Sequence, residues 1–166
     1  MTEKWNPPAE KYKMRERLIT GLSVGASLIL IGIIYVINLP NSLWDSIVRF
    51  FNNIALRQVP NTAISLPAPA FPAGHAVLYN ALFQLCVGIV ILQIVILFLR
   101  LMMHSRINKT AETIGNFVYW SGSAYLVTTY LNTTASLTDW FAFWAGIFVI
   151  AGLSFIVRAI VLLTKR

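Results

Sequence analysis

The chain offers few side chains that could carry a reaction: among its 166 residues are two histidines, one cysteine and six carboxylates. His75 and His104 are separated by an apolar stretch long enough to cross a bilayer, so they cannot share a metal ion. No Cys/His/carboxylate group has ligand spacing. Cys86 has no partner for an intramolecular disulfide, and its apolar surroundings make it a small packing side chain. Trp120-Ser121-Gly122-Ser123 presents two serines. Acyl transfer, however, needs a base within hydrogen-bond reach, and neither histidine sits at their depth. No phosphate-binding glycine loop is present. The expectation is a non-enzymatic protein with no cofactor and no metal.

The residues that remain are polar groups inside apolar runs. Asn80 and Gln84 share a helical face with Gly88, and Asn116, Ser123, Tyr125 and Thr128 interrupt the next apolar run. Unpaired amides are costly in hydrocarbon, so these side chains should point into protein and could line a polar path between two helices. Arg158 falls about five residues inside the end of the last run, and intramembrane charges are functional candidates by default. Glu112 begins the preceding run at a similar depth, so the two could pair at the membrane edge. His75 stands at the outer mouth of the Asn80/Gln84 face, where an imidazole could respond to pH.

The elements that must position these groups follow from composition. The chain is 57% hydrophobic and 11% charged, against about 25% charged for a soluble domain. Its apolar residues are bunched into runs of the length that crosses ~30 Å of hydrocarbon. The fold class expected is an all-α integral membrane protein, a four-transmembrane-helix bundle in one domain (18–166) behind a basic tail (1–17). The spans are about 18–39, 75–99, 113–131 and 140–163. Pro40 ends the first. The third is the most polar and should be the most enclosed.

Between the first two spans, residues 42–57 place Leu43, Trp44, Ile47, Val48, Phe51, Ile54 and Ala55 on one face and Asp45, Arg49, Asn52, Asn53 and Arg57 on the other. This predicts an amphipathic helix in the outer interface, with Ser42 and Asp45 spaced as a capping box. Residues 58–74 hold Pro60, Pro67, Pro69 and Pro72, which forbid a helix and favour extended, polyproline-like backbone. That loop is apolar and almost uncharged, so it should lie over the spans or against a neighbouring subunit. The arrangement is not that of claudin-like tetraspan proteins, since the loop lacks their cysteine pair.

Small residues recur where helices could approach closely. Gly21, Gly25 and Gly32 mark the first span, and Ala145, Gly152 and Ala159 repeat every seven residues along the fourth. Gly115 and Gly122 do the same in the third. These seams predict self-association or a place in a larger membrane complex.

The net charge of +7 reads as orientation. Lys4, Lys11, Lys13, Arg15, Arg17, Arg100, Arg106, Lys109, Arg158, Lys165 and Arg166 fall on one side, which is 11 of the 13 basic residues, and only Arg49 and Arg57 on the other. The excess sets both termini and the middle loop in the cytoplasm of a cell-membrane protein. A nucleic-acid partner is not expected, because no surface segment interleaves basic and aromatic residues. The bilayer is the partner composition implies. On this topology the Asn132-Thr133-Thr134 sequon is outside, very close to the membrane. The alternatives carried forward are a transporter or channel subunit using the polar path and, less favoured, a membrane-embedded enzyme.

Overall fold

The computed structural model describes residues 7–103 and 105–164, with side chains from Met14 onward. The molecule is mostly helical. Its helices are α1 (Pro7–Asn38), α2 (Leu43–Asn52), α3 (Ala76–Met102), α4 (Ile107–Tyr130) and α5 (Leu137–Leu163). Strands β1 (Ile54–Gln58) and β2 (Ser65–Pro69) form an antiparallel hairpin between α2 and α3. Three helical stretches are long and apolar enough to cross a membrane: Met14–Asn41, Pro72–Met102 and Leu137–Leu163. These features make the chain a membrane protein.

Helix α1 begins well before the apolar run. Pro7 and Pro8 occupy its first turn, where their missing N–H groups would be unpaired anyway, and Ala9, Glu10, Lys11 and Lys13 are good helix formers. Part of the expected tail is therefore helical. At the other end α1 stops at Asn38 and runs through a tight turn, Leu39–Asn41, that contains Pro40. Ser42 then takes a left-handed conformation, φ 51°, and makes no side-chain cap. The expected Ser42/Asp45 capping box is absent because a capping residue needs extended backbone, and the sharp bend from α1 into α2 denies it. The box forms instead at Ser136, whose backbone is extended. The Ser136 side chain accepts from the Asp139 N–H at 3.2 Å, and the Asp139 carboxylate accepts from the Ser136 N–H at 2.9 Å.

The amphipathic helix is shorter than 42–57: α2 ends at Asn52, and Ile54–Gln58 is strand. The cause lies in the proline-rich segment. Backbone bonds join Val59 N–H to the Ile64 carbonyl and Ala70 N–H to the Asn53 carbonyl, each at 2.9 Å. The register pairs Leu56 with Pro67 and Ile54 with Pro69. Hydrogen-bonded pairs alternate with non-bonded ones in an antiparallel ladder. Pro67 and Pro69, two residues apart, therefore both fall at positions whose nitrogen faces away from β1. Neither proline removes a ladder bond. A β-turn closed by Thr62 N–H to the Val59 carbonyl holds Pro60 and a left-handed Asn61, φ 61°. The loop is extended as expected, but paired rather than polyproline-like.

The long helices lie in a row, α1–α3–α4–α5, each packed on its neighbours. No contact of comparable extent joins α1 to α4 or α5 among the described residues. The row does not close into the expected bundle: α1 packs on α3 alone among the long helices, and its polar contacts reach only α3 and the loop after it. Asn38 Nδ2 donates to Gln84 Oε1 at 2.8 Å, and Glu16 meets Arg100 and the Arg106 N–H. Helix α4 lies between α3 and α5 and has buried residues along both ends of its length. Its partners on α5 run in reverse order: Gly115 faces Ser154, Gly122 faces Ile150, and Leu126 faces Gly146. The two helices are thus antiparallel neighbours throughout. Ser154 Oγ donates to the Gly115 carbonyl at 2.8 Å, an approach that glycine allows.

Candidate functional site

A grouping of aromatic and polar side chains caps the end of the row at which α3 and α5 begin and α4 ends. Helix α2 turns Leu43, Ile47 and Phe50 inward and leaves Trp44, Val48 and Phe51 exposed. Phe50 meets His75 edge-on at 5.1 Å between ring centroids and lies 5.8 Å from Trp140. His75 in turn packs on Tyr79 at 6.4 Å. Ala68 and Pro69 of β2 are buried, Ala68 in the same core as Tyr79, Leu126, Val127, Leu131, Trp140 and Phe143. Hairpin and α2 together close this end of the row. Among the described residues, His75 Nε2, Tyr79 OH and Trp140 Nε1 are buried there without a hydrogen-bond partner.

Two cavities open beside this cap. One, about 280 Å³, is lined by Tyr79, Asn80, Phe83, Thr128, Asn132 and Thr133 among others. The other, about 210 Å³, has Arg49, Asn53 and His75 in its wall. His75 is thus reached from the α2 side rather than from the face that carries Asn80.

The six residues of the expected polar face do not converge. Asn80 and Thr128 share the larger of the two cavities beside the cap. Gln84 is engaged by Asn38. Ser123 is buried and its hydroxyl donates to the Tyr119 carbonyl at 2.8 Å, an ordinary helix back-bond. Asn116 and Tyr125 are exposed on the surface of α4, Tyr125 by 68%. A helix in the middle of a row has two covered flanks and two open faces, so polar residues spread around α4 cannot all turn inward. Helix α4 is nonetheless the most enclosed of the long helices, as expected, with more buried residues than α1, α3 or α5 among the described residues.

Glu112 pairs with Lys109 at 2.8 Å, one turn away on its own helix. The Lys109 hydrogen bond, with the charges of Lys109, Arg158 and Arg100, holds the Glu112 carboxyl below its ordinary range. Arg158 is exposed near Gly115 and reaches Glu112 as a nearby charge rather than as a direct ion pair. His104, Lys165 and Arg166 lie outside the described residues.

The small-residue seams divide sharply. A Cβ built on Gly88 would meet Leu30 at 2.5 Å, and one on Gly122 would meet Ile150 at 2.6 Å, so these glycines are packed against neighbouring helices. Gly21, Gly25, Gly32 and Gly152 face open space, with nothing within 4 Å among the described residues. Ala145 and Ala159 are exposed beside Gly152. The stripes on the two edge helices therefore face away from the chain's own core.

Reading the sequence span by span missed Asn38, Glu16 and Arg100. Depth was a signal for one pair only: Glu16 precedes the first run and Arg100 closes the second, at the same end of both, whereas Asn38 stands at the edge of the first run and Gln84 nine residues into the second. Among the described residues no three His, Cys, Asp or Glu side chains come together. No family model, curated protein or solved structure matches the chain.

Proposed function

We propose that the chain is a non-enzymatic, multi-pass membrane protein that acts by helix packing, as a homo-oligomer or as a small subunit of a membrane complex. One observation carries this reading: the edge helices of an open row turn their small-residue stripes, Gly21/Gly25/Gly32 and Ala145/Gly152/Ala159, away from the chain. In lipid, close packing of small residues is a main force that brings helices together. The exposed Asn116 and Tyr125 of α4 add polar surface that hydrocarbon solvates poorly.

In this reading four helices cross the bilayer. Helix α4 is the fourth, supported by its ~36 Å length and by its antiparallel register along α5. The basic residues put both termini in the cytoplasm of a cell-membrane protein. Helix α2 then lies in the outer interface, its exposed Trp44, Val48 and Phe51 turned to the acyl boundary. A transport path within a single chain has less support, because Gln84 and Ser123 are already hydrogen-bonded inside the protein.

Native mass spectrometry of the gently extracted protein tests the reading. Wild-type protein is expected with further copies or with a stoichiometric second subunit. Gly25→Leu and Gly152→Leu are expected to release the monomer while leaving its thermal unfolding unchanged, since neither glycine touches its own chain. A wild-type monomer free of other chains would sink the proposal.

A further inference from the structure

At the end of the row opposite the cap, α3, α4 and α5 enclose a cavity of about 440 Å³. Arg100, Ser105, Thr110 and Thr164 supply its polar wall, and Leu101 and Val161 its apolar one. Arg100 is 7% exposed, yet among the described residues its Nε and Nη1 have no hydrogen-bond partner. The nearest carboxylate oxygen, Glu16 Oε2, stands 3.7 Å from Nη1, beyond hydrogen-bond range. The other Glu16 oxygen accepts from the Arg106 N–H at 3.3 Å. Glu16 is thus shared between the loop backbone and the guanidinium, and satisfies the latter only as a nearby charge. A buried guanidinium whose donors are unmet is costly, and its planar fork matches the oxygens of a phosphate.

We propose that this cavity binds a phosphate oxyanion on Arg100, either the headgroup phosphate of a lipid or free phosphate. Ser105 and Thr110 line the same wall; α4 begins there at Ile107, but its positive end is opposed by the negative C-terminal ends of α3 at Met102 and α5 at Leu163, so the charge that favours an anion is that of Arg100. The adjoining surface suits a lipid. Leu101 and Met102 are 60% and 64% exposed at the end of an apolar helix, where acyl chains meet headgroups. The site is independent of the oligomeric reading, because every residue in it belongs to one chain.

The test uses the full-length protein in a neutral maltoside detergent. Thermal unfolding and native mass spectrometry are followed on adding dioleoylphosphatidylglycerol or, separately, inorganic phosphate at constant ionic strength. Phosphatidylglycerol is expected to raise Tm by several degrees and to remain bound in the gas phase. Arg100→Gln is expected to lose the shift, with affinity reduced at least about ten-fold. A shift with inorganic phosphate equal to that with the lipid assigns the site to free phosphate; a shift with the lipid alone assigns it to the headgroup. Arg100→Lys keeps the charge and loses the fork, so it serves if Arg100→Gln does not fold, and it should bind several-fold more weakly. The proposal is overturned if neither ligand shifts the wild type, or if the Arg100 variant that folds binds as tightly as the wild type.

Discussion

The contact between Asn38 and Gln84 holds the first apolar helix on the rest of the protein, and its worth can be measured. Asn38 is 2% exposed, and its Nδ2 donates to Gln84 Oε1 at 2.8 Å and to the Ile34 carbonyl at 2.9 Å. Both of its protons are used. Gln84→Leu strands one of them in an apolar interface lined by Ile34, Leu43 and Ala81. Leaving a buried donor unsatisfied costs about 1–3 kcal/mol. Asn38→Leu strands the Gln84 carbonyl oxygen instead, at smaller cost because Gln84 is only half-buried. With both replaced, neither polar group remains, and the double variant should be less destabilised than the two single effects added together. Interhelical hydrogen bonds in membrane proteins show coupling near 0.6 kcal/mol on average and up to about 1.7 kcal/mol. The short distance and the burial of Asn38 place this one in the upper half of that range. The assay is reversible unfolding in mixed micelles titrated with dodecyl sulfate, followed by tryptophan fluorescence, on the wild type, both single variants and the double variant. Additivity of the single effects to within about 0.3 kcal/mol would refute the claim that this bond couples α1 to α3.

Two further outcomes follow from the packing. Gly122→Ala places a methyl 2.6 Å from Ile150 Cδ1 and 2.7 Å from its Cγ2, so the α4–α5 seam should lose about 1–3 kcal/mol; the same unfolding titration should show Ile150→Ala costing less in the Gly122→Ala background than in the wild type. Ser136→Ala removes the side-chain acceptor for the Asp139 N–H at the start of α5 and is expected to cost about 0.5–2 kcal/mol, read as a fall in Tm, with Ser42→Ala as the near-neutral control because Ser42 makes no side-chain cap.

The sequence by itself determined the class of protein and most of its helices. Long apolar runs can satisfy their backbone in lipid only as helices, so composition and length reach the structure directly. The end of α1 just before Pro40 was equally legible, because the missing proline N–H acts locally. Local rules reached less far where a distant strand competed. Ile54 and Ala55 continue the amphipathic period of α2, but pairing with Ala68 and Pro69 draws them into a hairpin. The two-residue spacing of Pro67 and Pro69 carried the hint, since prolines at alternate positions can all face away from a partner strand. What only the tertiary structure decided is which small and polar residues face inward. Gly122 and Gly25 look alike in sequence, yet one is pressed against Ile150 and the other has nothing within 4 Å. Helical periodicity gives the faces of each helix but not the order of helices in the row, and that order settles which face meets protein. The same limit hid Arg100, whose burial depends on Glu16 and on the packing of three helix ends, contacts that no single span contains.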